Sequence, residues 1–98
     1  MIGVLVTFTG ADKFDPSALT KIADELREPF EGMAGLRFKS FMLDEDGARA
    51  RNFYVWDDAE KARAFFTEEI VDKVTGIYGA PPEIEFLDIV GFVDNSAA

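Results

Sequence analysis

The chain has 98 residues, of which 48% are hydrophobic and 30% charged, and its formal net charge is −9. This length suits one domain, and the acidic balance argues against nucleic acid as a partner, because a phosphate backbone attracts basic surfaces. Cysteine and histidine are absent, which excludes disulfides, thiolate catalysis and histidine-ligated haem or metal. Neither a membrane span nor a secretory signal is recognisable, so we expect a cytoplasmic protein that does not bind membranes.

The chain opens with a strand pattern followed by a helix pattern. Residues 2–9 are apolar and β-branched, which predicts a strand. Asp15 can cap a helix and Pro16 suits its first position, while Pro29 is expected to end it. The inward face of this helix is predicted from apolar residues at helical spacing, which are Leu19, Ile22, Ala23 and Leu26.

A hairpin and a second helix are predicted next. Residues 36–43 and 49–56 read as strands, and the turn between them contains Gly47, which can take a positive φ angle. Asp57 and Glu60 have the spacing of a capping box and predict the start of the second helix.

The last third of the chain predicts one more short helix and a final strand. Thr67 is expected to cap the helix and Gly76 to stop it. Residues 78–82 are rich in glycine and proline and predict a loop. Residues 83–93 predict the last strand, and residues 94–98 a disordered tail.

The resulting order is β-α-β-β-α-β, which predicts an α+β, ferredoxin-like domain over residues 1–98. Its four-stranded antiparallel sheet carries the helices on one face. The first and last strands are apolar on both faces, so the sheet face without helices, the open face, needs a cover. We predict that a second copy covers it in a homodimer. The alternative is that the long connections fold over it.

The third predicted strand carries three side chains able to form hydrogen bonds on one face. Asn52, Tyr54 and Trp56 share that face because side chains repeat every two residues along a strand. We expect it to be the open face, since Phe53 and Val55 opposite look suited to packing on helices. A dimer would then enclose a cavity for a small aromatic or polyketide-like ligand. Alternatively, Tyr54 and Trp56 are simply interface residues.

The second predicted strand adds two cations as candidate ligand-binding groups. Arg37 and Lys39 share a face with Asn52 if Asp44 pairs with Gly47, but not if Asp44 pairs with Ala48. A cation in a dry cavity would stabilise a phenolate or a carboxylate. The alternative is a charge at a strand end that reaches solvent.

Two further residues are candidates for the site. Asp88 stands in an otherwise apolar strand, where burial would raise its pKa and suit it as a general base. It could equally pair with an arginine or lie at an edge. Tyr78 in the predicted loop could cover the mouth of a pocket.

Three short motifs resemble those of the YdhR-type monooxygenases. The motifs are Gly35-Leu36-x-x-Lys39-x-Phe41, Tyr54-Val55-Trp56-Asp57 and Ala62-x-x-Phe65. That family belongs to the dimeric α/β-barrel superfamily, which includes the antibiotic-biosynthesis monooxygenases. The resemblance covers about two-thirds of the chain and implies a ferredoxin-like protomer whose sheet forms a barrel with its partner.

The resemblance also implies a reaction. Cofactor-free, quinone-forming members of the superfamily use an asparagine four residues before a tryptophan, and Asn52 and Trp56 match that spacing. By analogy they would hold a phenolic substrate as its phenolate while it reacts with oxygen, without flavin, haem or metal. Haem-degrading members need a histidine, so their activity is not carried over.

Three functions remain open from the sequence. The first is a cofactor-independent monooxygenase in which Asn52 and Trp56 act with help from Tyr54 or Lys39. The second is a non-catalytic or stress-related dimer that binds a small hydrophobic molecule. The third is an isomerase or lyase of the same fold that uses Asp88 or Lys39 as its base.

Overall fold

The structure is a computed structural model that describes residues 1–96, and it has the predicted order of elements with the second helical region divided in two. The elements are β1 (Ile2–Thr9), α1 (Pro16–Phe30), β2 (Leu36–Leu43), β3 (Arg49–Trp56), α2 (Ala59–Phe65), α3 (Glu68–Tyr78) and β4 (Pro82–Asp88). The strands form one antiparallel sheet in the order β2-β3-β1-β4. Residues of all three helices or their flanks pack on one face of it. The predicted ferredoxin-like fold is confirmed.

Side-chain oxygens cap the starts of the helices. Asp15 and Thr67 cap α1 and α3, as predicted, by accepting backbone N–H groups of the first turn. The prediction for α2 was wrong by one residue, because Asp58 rather than Asp57 accepts the N–H of Lys61, at 2.7 Å. No helix within residues 1–96 is both long and apolar enough to cross a membrane.

Two helices run further than predicted. Helix α1 includes Pro29 and ends at Phe30, because a proline in the last turn removes only one hydrogen bond. Helix α3 continues past Gly76 to Tyr78, where Gly79 takes φ of 75° and ends it. A glycine in that left-handed conformation is a stronger stop than a glycine inside the helix.

The last strand is shorter than predicted. Strand β4 ends at Asp88, so the prediction of a strand over residues 83–93 was wrong for its second half. The N–H of Ile89 still donates to the carbonyl of Met1 at 3.3 Å, after which the chain leaves the sheet edge.

Residues 89–93, the crossing segment, run over part of the open face. The Phe92 ring lies 6.0 Å from that of Phe38 on β2, at the opposite edge of the sheet. Beyond it, Asp94 accepts the backbone N–H of Ser96 at 2.9 Å. The predicted tail, 94–98, falls only partly within the structure, since residues 97 and 98 lie outside the described residues.

The core lies between the sheet and the helices. Its strand residues come from alternate positions of β1 and β3, and include Ile2, Val4, Val6, Phe8, Ala50, Tyr54 and Trp56. Each β1 member pairs directly with a β3 partner, so the two sets share one face.

Asn52, Tyr54 and Trp56 therefore face the helices, and the prediction that they face the open side was wrong. The alternate residues of β1 form an unbroken apolar set, and the β3 residues paired with them are drawn to the same covered side. Phe53 and Val55 occupy the open face instead.

The hairpin has a register that differs from both alternatives considered. The N–H of Asp44 donates to the carbonyl of Arg49 at 2.9 Å, and the N–H of Gly47 donates back to the carbonyl of Asp44 at 2.8 Å. Lys39 pairs with Tyr54 in this register. Lys39 therefore shares the helix-facing side of the sheet with Tyr54.

Replacing Gly47 by alanine should destabilise the fold. Gly47 has φ of 76° and is buried in the hairpin turn, and a side chain in this conformation costs about 1–2 kcal/mol. The matched control is Gly76→Ala in α3, where an added Cβ meets no atom within 4 Å. That change should stabilise by up to about 1 kcal/mol. Urea unfolding of the two variants measures both effects, and equal signs would contradict this account.

Candidate functional site

A mainly apolar cavity of about 220 Å³, the inner cavity, lies between the sheet and helices α1 and α3. Its apolar wall includes Leu26, Phe30, Met33, Phe65, Val74 and Ile77. Its polar lining comes from Lys39, Asn52, Tyr54, Lys73 and Tyr78. Among the described residues this lining holds two lysines and no carboxylate, although acidic residues outnumber basic ones in the chain. The inner cavity is therefore suited to an apolar ligand with an anionic oxygen.

A hydrogen bond between sheet and helix stands at the wall of this cavity. The Nδ2 group of Asn52, which is only 4% exposed, donates to the hydroxyl of Tyr78 at 3.1 Å. The Tyr78 ring stacks on Phe8 with centroids 3.9 Å apart, which fixes the position of its hydroxyl. Because the amide is the donor, the Tyr78 hydroxyl keeps its own proton for donation to a ligand.

The same pair also lines a second cavity, the side cavity, of about 290 Å³. Its other walls come from α1, β2 and β3, including Leu19, Ala23, Phe41 and Leu43. The Asn52–Tyr78 pair thus borders both cavities and presents polar groups to each.

Lys39 reaches the inner cavity inside a cage of aromatic rings. Its Nζ atom lies 3.6 Å from the ring centroid of Phe30, 4.2 Å from that of Phe41 and 4.5 Å from that of Tyr54. Burial lowers the pKa of Lys39 to about 7, because an ammonium group loses its hydration there. The amine is therefore partly neutral near neutral pH, while the ring faces can still stabilise its charged form.

Tyr54 and Trp56 differ in their access to the cavity. Tyr54 is 3% exposed and lines it, and burial raises the pKa of its phenol, with a further contribution from Tyr78 nearby. Trp56 is 2% exposed and lines neither cavity. Its ring centroid lies 5.4 Å from that of Phe65 and 6.4 Å from that of Tyr54. Its indole N–H has no hydrogen-bond partner within residues 1–96.

Two predicted site residues lie elsewhere. A bulge between Leu36 and Phe38 turns Arg37 outward, where it contacts Asp57 at 3.4 Å with both side chains more than half exposed. This matches the alternative of a charge that reaches solvent. Asp88 is exposed at the end of β4, so it is not the buried carboxylate that a general base would require. The structure brings together Lys39, Asn52, Tyr54 and Tyr78.

The helical wall of the site was not predicted from the sequence. Phe30 and Ile77 lie just beyond the points where Pro29 and Gly76 were expected to end their helices. A helical spacing that continues from Val74 to Ile77 was the signal available. Within residues 1–96, no group of three acidic side chains is placed to hold a metal ion.

Solved structures with this fold span nearly the whole chain. A monooxygenase from the gene ActVA-Orf6 of Streptomyces coelicolor, in complex with nanaomycin D, is 19% identical with a TM-score of 0.70, and the match covers 97% of this chain and 92% of that one. SnoaB from Streptomyces nogalater, a cofactor-independent oxygenase in mutant form, is 14% identical with a TM-score of 0.67 and coverage of 94% and 95%. Rv0793 from Mycobacterium tuberculosis is 13% identical with a TM-score of 0.67 and coverage of 95% and 98%.

The chain has the fold of the antibiotic biosynthesis monooxygenases. No family model and no curated protein sequence matches it. The resemblance stated from the sequence is confirmed at the level of fold, and the YdhR type within it stays a prediction.

The buried lysine should make stability depend on pH. The pKa of Lys39 is about 7 in the native state and 10.5 in an exposed lysine. Between these values the unfolded chain binds a proton that the native protein lacks, so raising the pH favours the native state. The free energy of unfolding should rise above pH 7 with a slope approaching about 1.4 kcal/mol per pH unit. Lys39→Met should remove this contribution, measured as the difference in urea unfolding between the two proteins from pH 6.5 to 9. Parallel pH curves would contradict the prediction.

Proposed function

We propose that this protein is a cofactor-independent monooxygenase that oxidises a small aromatic or polyketide-like phenol between its sheet and its helices. The observation that supports this most is the Asn52–Tyr78 pair, which holds two polar groups in place at the wall of an apolar cavity. The fold shared with oxygenases of this type adds support at the level of architecture.

The proposed location differs from the one expected from the sequence, because the cavity lies within one protomer. Its volume is below the range of about 300–1,000 Å³ that is usual for ligand sites. The side cavity, which shares Asn52 and Tyr78 in its lining, lies beside this pair as well. We propose that a ligand with fused rings lies against this pair and extends into both spaces.

The chemistry needs a substrate anion that can pass an electron to oxygen. Once a phenolic substrate is ionised, the Asn52 amide and the Tyr78 hydroxyl can donate hydrogen bonds to its oxygen. The anion reduces O₂ to superoxide, and the two radicals combine to a peroxide on a ring CH group. Loss of water leaves a carbonyl, so one oxygen atom enters the product and the other becomes water. Water-poor walls would protect the radical pair.

In this proposal Asn52 contacts the substrate and Trp56 acts through its neighbours. Trp56 packs against Tyr54 and Phe65, which both line the cavity. Trp56 would hold these two rings in position. We therefore expect the loss of Asn52 to lower the activity more than the loss of Trp56, although the sequence resemblance gives the two residues equal weight.

We also propose that the protein works as a homodimer through its open face. The crossing segment leaves Val90 fully exposed and Val93 85% exposed, and its Phe92 ring lies near that of exposed Phe38 on β2. Exposed apolar side chains that lie together are typical of an interface. A second copy would cover it through a two-fold axis while each protomer keeps its own cavity.

The oxygenase proposal is tested by oxygen uptake with a panel of anthrone-like phenols. Wild-type protein should consume one O₂ per quinone formed, and Asn52→Ala should lower kcat/KM by about 10²-fold through loss of a donor to the oxyanion. Ser40→Ala is the matched control, because Ser40 faces the open side of the adjacent strand. Its activity should stay unchanged if the reaction occurs between sheet and helices.

Other outcomes identify the alternatives. Tight binding of these phenols without consumption of oxygen would support a ligand-sequestering protein and reject the oxygenase. A proton-transfer reaction that runs anaerobically would support an isomerase or lyase. Full turnover in the double variant Asn52→Ala, Trp56→Phe would reject the assignment of these two residues.

The dimer is tested by light scattering on a size-exclusion column. Wild-type protein should elute with twice the protomer mass of 10.9 kDa at micromolar concentration. Val90→Glu should give a protomer, because Val90 is 100% exposed in the single chain and a charge there costs the protomer nothing. Ala18→Glu on the outer side of α1 is the control and should leave the dimer intact. A monomeric wild type would reject the proposal.

A further inference from the structure

We propose that Lys39 is the acid–base group of this cavity: its amine takes the phenolic proton of the substrate, and its ammonium later returns that proton to the peroxide. The inference rests on the proposed function and names the residue that ionises the substrate. It follows from where the Nζ atom lies and from which other groups line the cavity.

The position of the amine suits proton transfer to a ligand. Lys39 lines the inner cavity together with Asn52, and its Nζ atom lies 4.5 Å from the ring centroid of Tyr54 in the cavity wall. A phenol that accepts hydrogen bonds from Asn52 and Tyr78 would therefore have its hydroxyl on the same sheet face as this amine. General acid–base groups act over one hydrogen bond or one intervening water.

The other titratable groups of the lining are poorly suited to the same task. Burial raises the pKa of both the Tyr54 and the Tyr78 phenol, so neither is a base near neutral pH. Lys73 is exposed on α3, at the edge of the cavity. Asp24 lines only the side cavity and is exposed on α1.

Lys39 can also exchange its proton with solvent. It lines a surface cleft of about 280 Å³ in addition to the inner cavity. The charged groups of this cleft are Arg27, Glu31 and Arg37, all exposed. Burial is the cause of the lowered pKa of Lys39, about 7, which leaves much of the amine unprotonated at neutral pH.

Lys39 alone takes up the phenolic proton and later returns it to the peroxide. The phenolic O–H bond breaks, an N–H bond forms on Lys39, and the ammonium is stabilised by the ring faces of Phe30 and Phe41 and by the phenolate. After the anion has reacted with O₂, the ammonium gives its proton to the peroxide oxygen. The ring hydrogen and the outer OH group of the peroxide then leave together as water, which completes the carbonyl. Lys39 is neutral again for the next turnover.

The first test measures ionisation of a bound phenol without oxygen. Under anaerobic conditions at pH 7.5, wild-type protein should bind 2-naphthol largely as the phenolate, seen in its absorbance and fluorescence. Lys39→Met should bind it as the neutral phenol, and Lys21→Met, which changes a lysine exposed on α1 outside the cavities, should behave as wild type. Circular dichroism checks that each variant is folded. Binding of only the neutral phenol by wild-type protein, or no binding, would overturn the proposal.

The second test distinguishes stabilisation of the phenolate by a cation at position 39 from transfer of the substrate's proton. Lys39→Arg keeps a cation that can pair with a phenolate but cannot give up its proton. It should bind the phenolate yet lose about 10²-fold or more in oxygen uptake, and lose the rise in rate through pH 7 that we expect of wild type. Phenolate binding that depends on Lys39 in a protein that never consumes oxygen would reject the oxygenase and keep the role of Lys39. Turnover unchanged in Lys39→Met would reject that role alone.

Discussion

The register of the hairpin between β2 and β3 is the constraint on which the site depends. Two backbone hydrogen bonds in the turn set it, with the N–H of Asp44 donating to Arg49 and its carbonyl accepting from Gly47. The Asp44 carboxylate adds a 2.9 Å hydrogen bond from Arg49. Because side chains alternate between the two faces of a strand, a shift by one residue would move Lys39 to the open face. The aromatic cage around Lys39, the lowered pKa of its amine and its position in the inner cavity all depend on this turn.

The site is built from polar groups that the core can hold only if they are partnered or neutralised. Asn52 is buried, and its Nδ2 group donates to the Tyr78 hydroxyl at the end of α3. Lys39 has no carboxylate beside it in the inner cavity, so burial favours its neutral amine, and three rings surround its Nζ atom. An unpaired cation that is partly neutral at physiological pH is costly for folding and useful for proton transfer. This is the kind of local inconsistency that sequences retain at functional sites.

Much of the fold could be predicted from the sequence, and the failures have physical causes. The strands over 2–9, 36–43 and 49–56 were predicted with their observed bounds, because runs rich in apolar and aromatic residues lie between clear turn signals. Helix ends were missed where two glycines compete, since only the backbone conformation shows that Gly79 rather than Gly76 is the stop. The face of Asn52 was missed because polarity was taken to indicate the open side. The pairing with β1 decides that face, and it depends on a register between distant segments.

Because Asn52 and Tyr54 face the helices and not the open side, the proposed reaction and the proposed dimerisation use different parts of the protomer. If the reaction chamber lay on the open face, the partner subunit would form one of its walls, and catalysis and dimerisation would fail together. In the structure the inner cavity is lined by α1 and α3 of the same chain, whereas the exposed apolar residues Val90 and Val93 lie on the crossing segment. A protomer therefore holds every residue assigned to the chemistry. In our proposal the open face serves association, which can change the stability of the sheet without changing the groups that line the cavity.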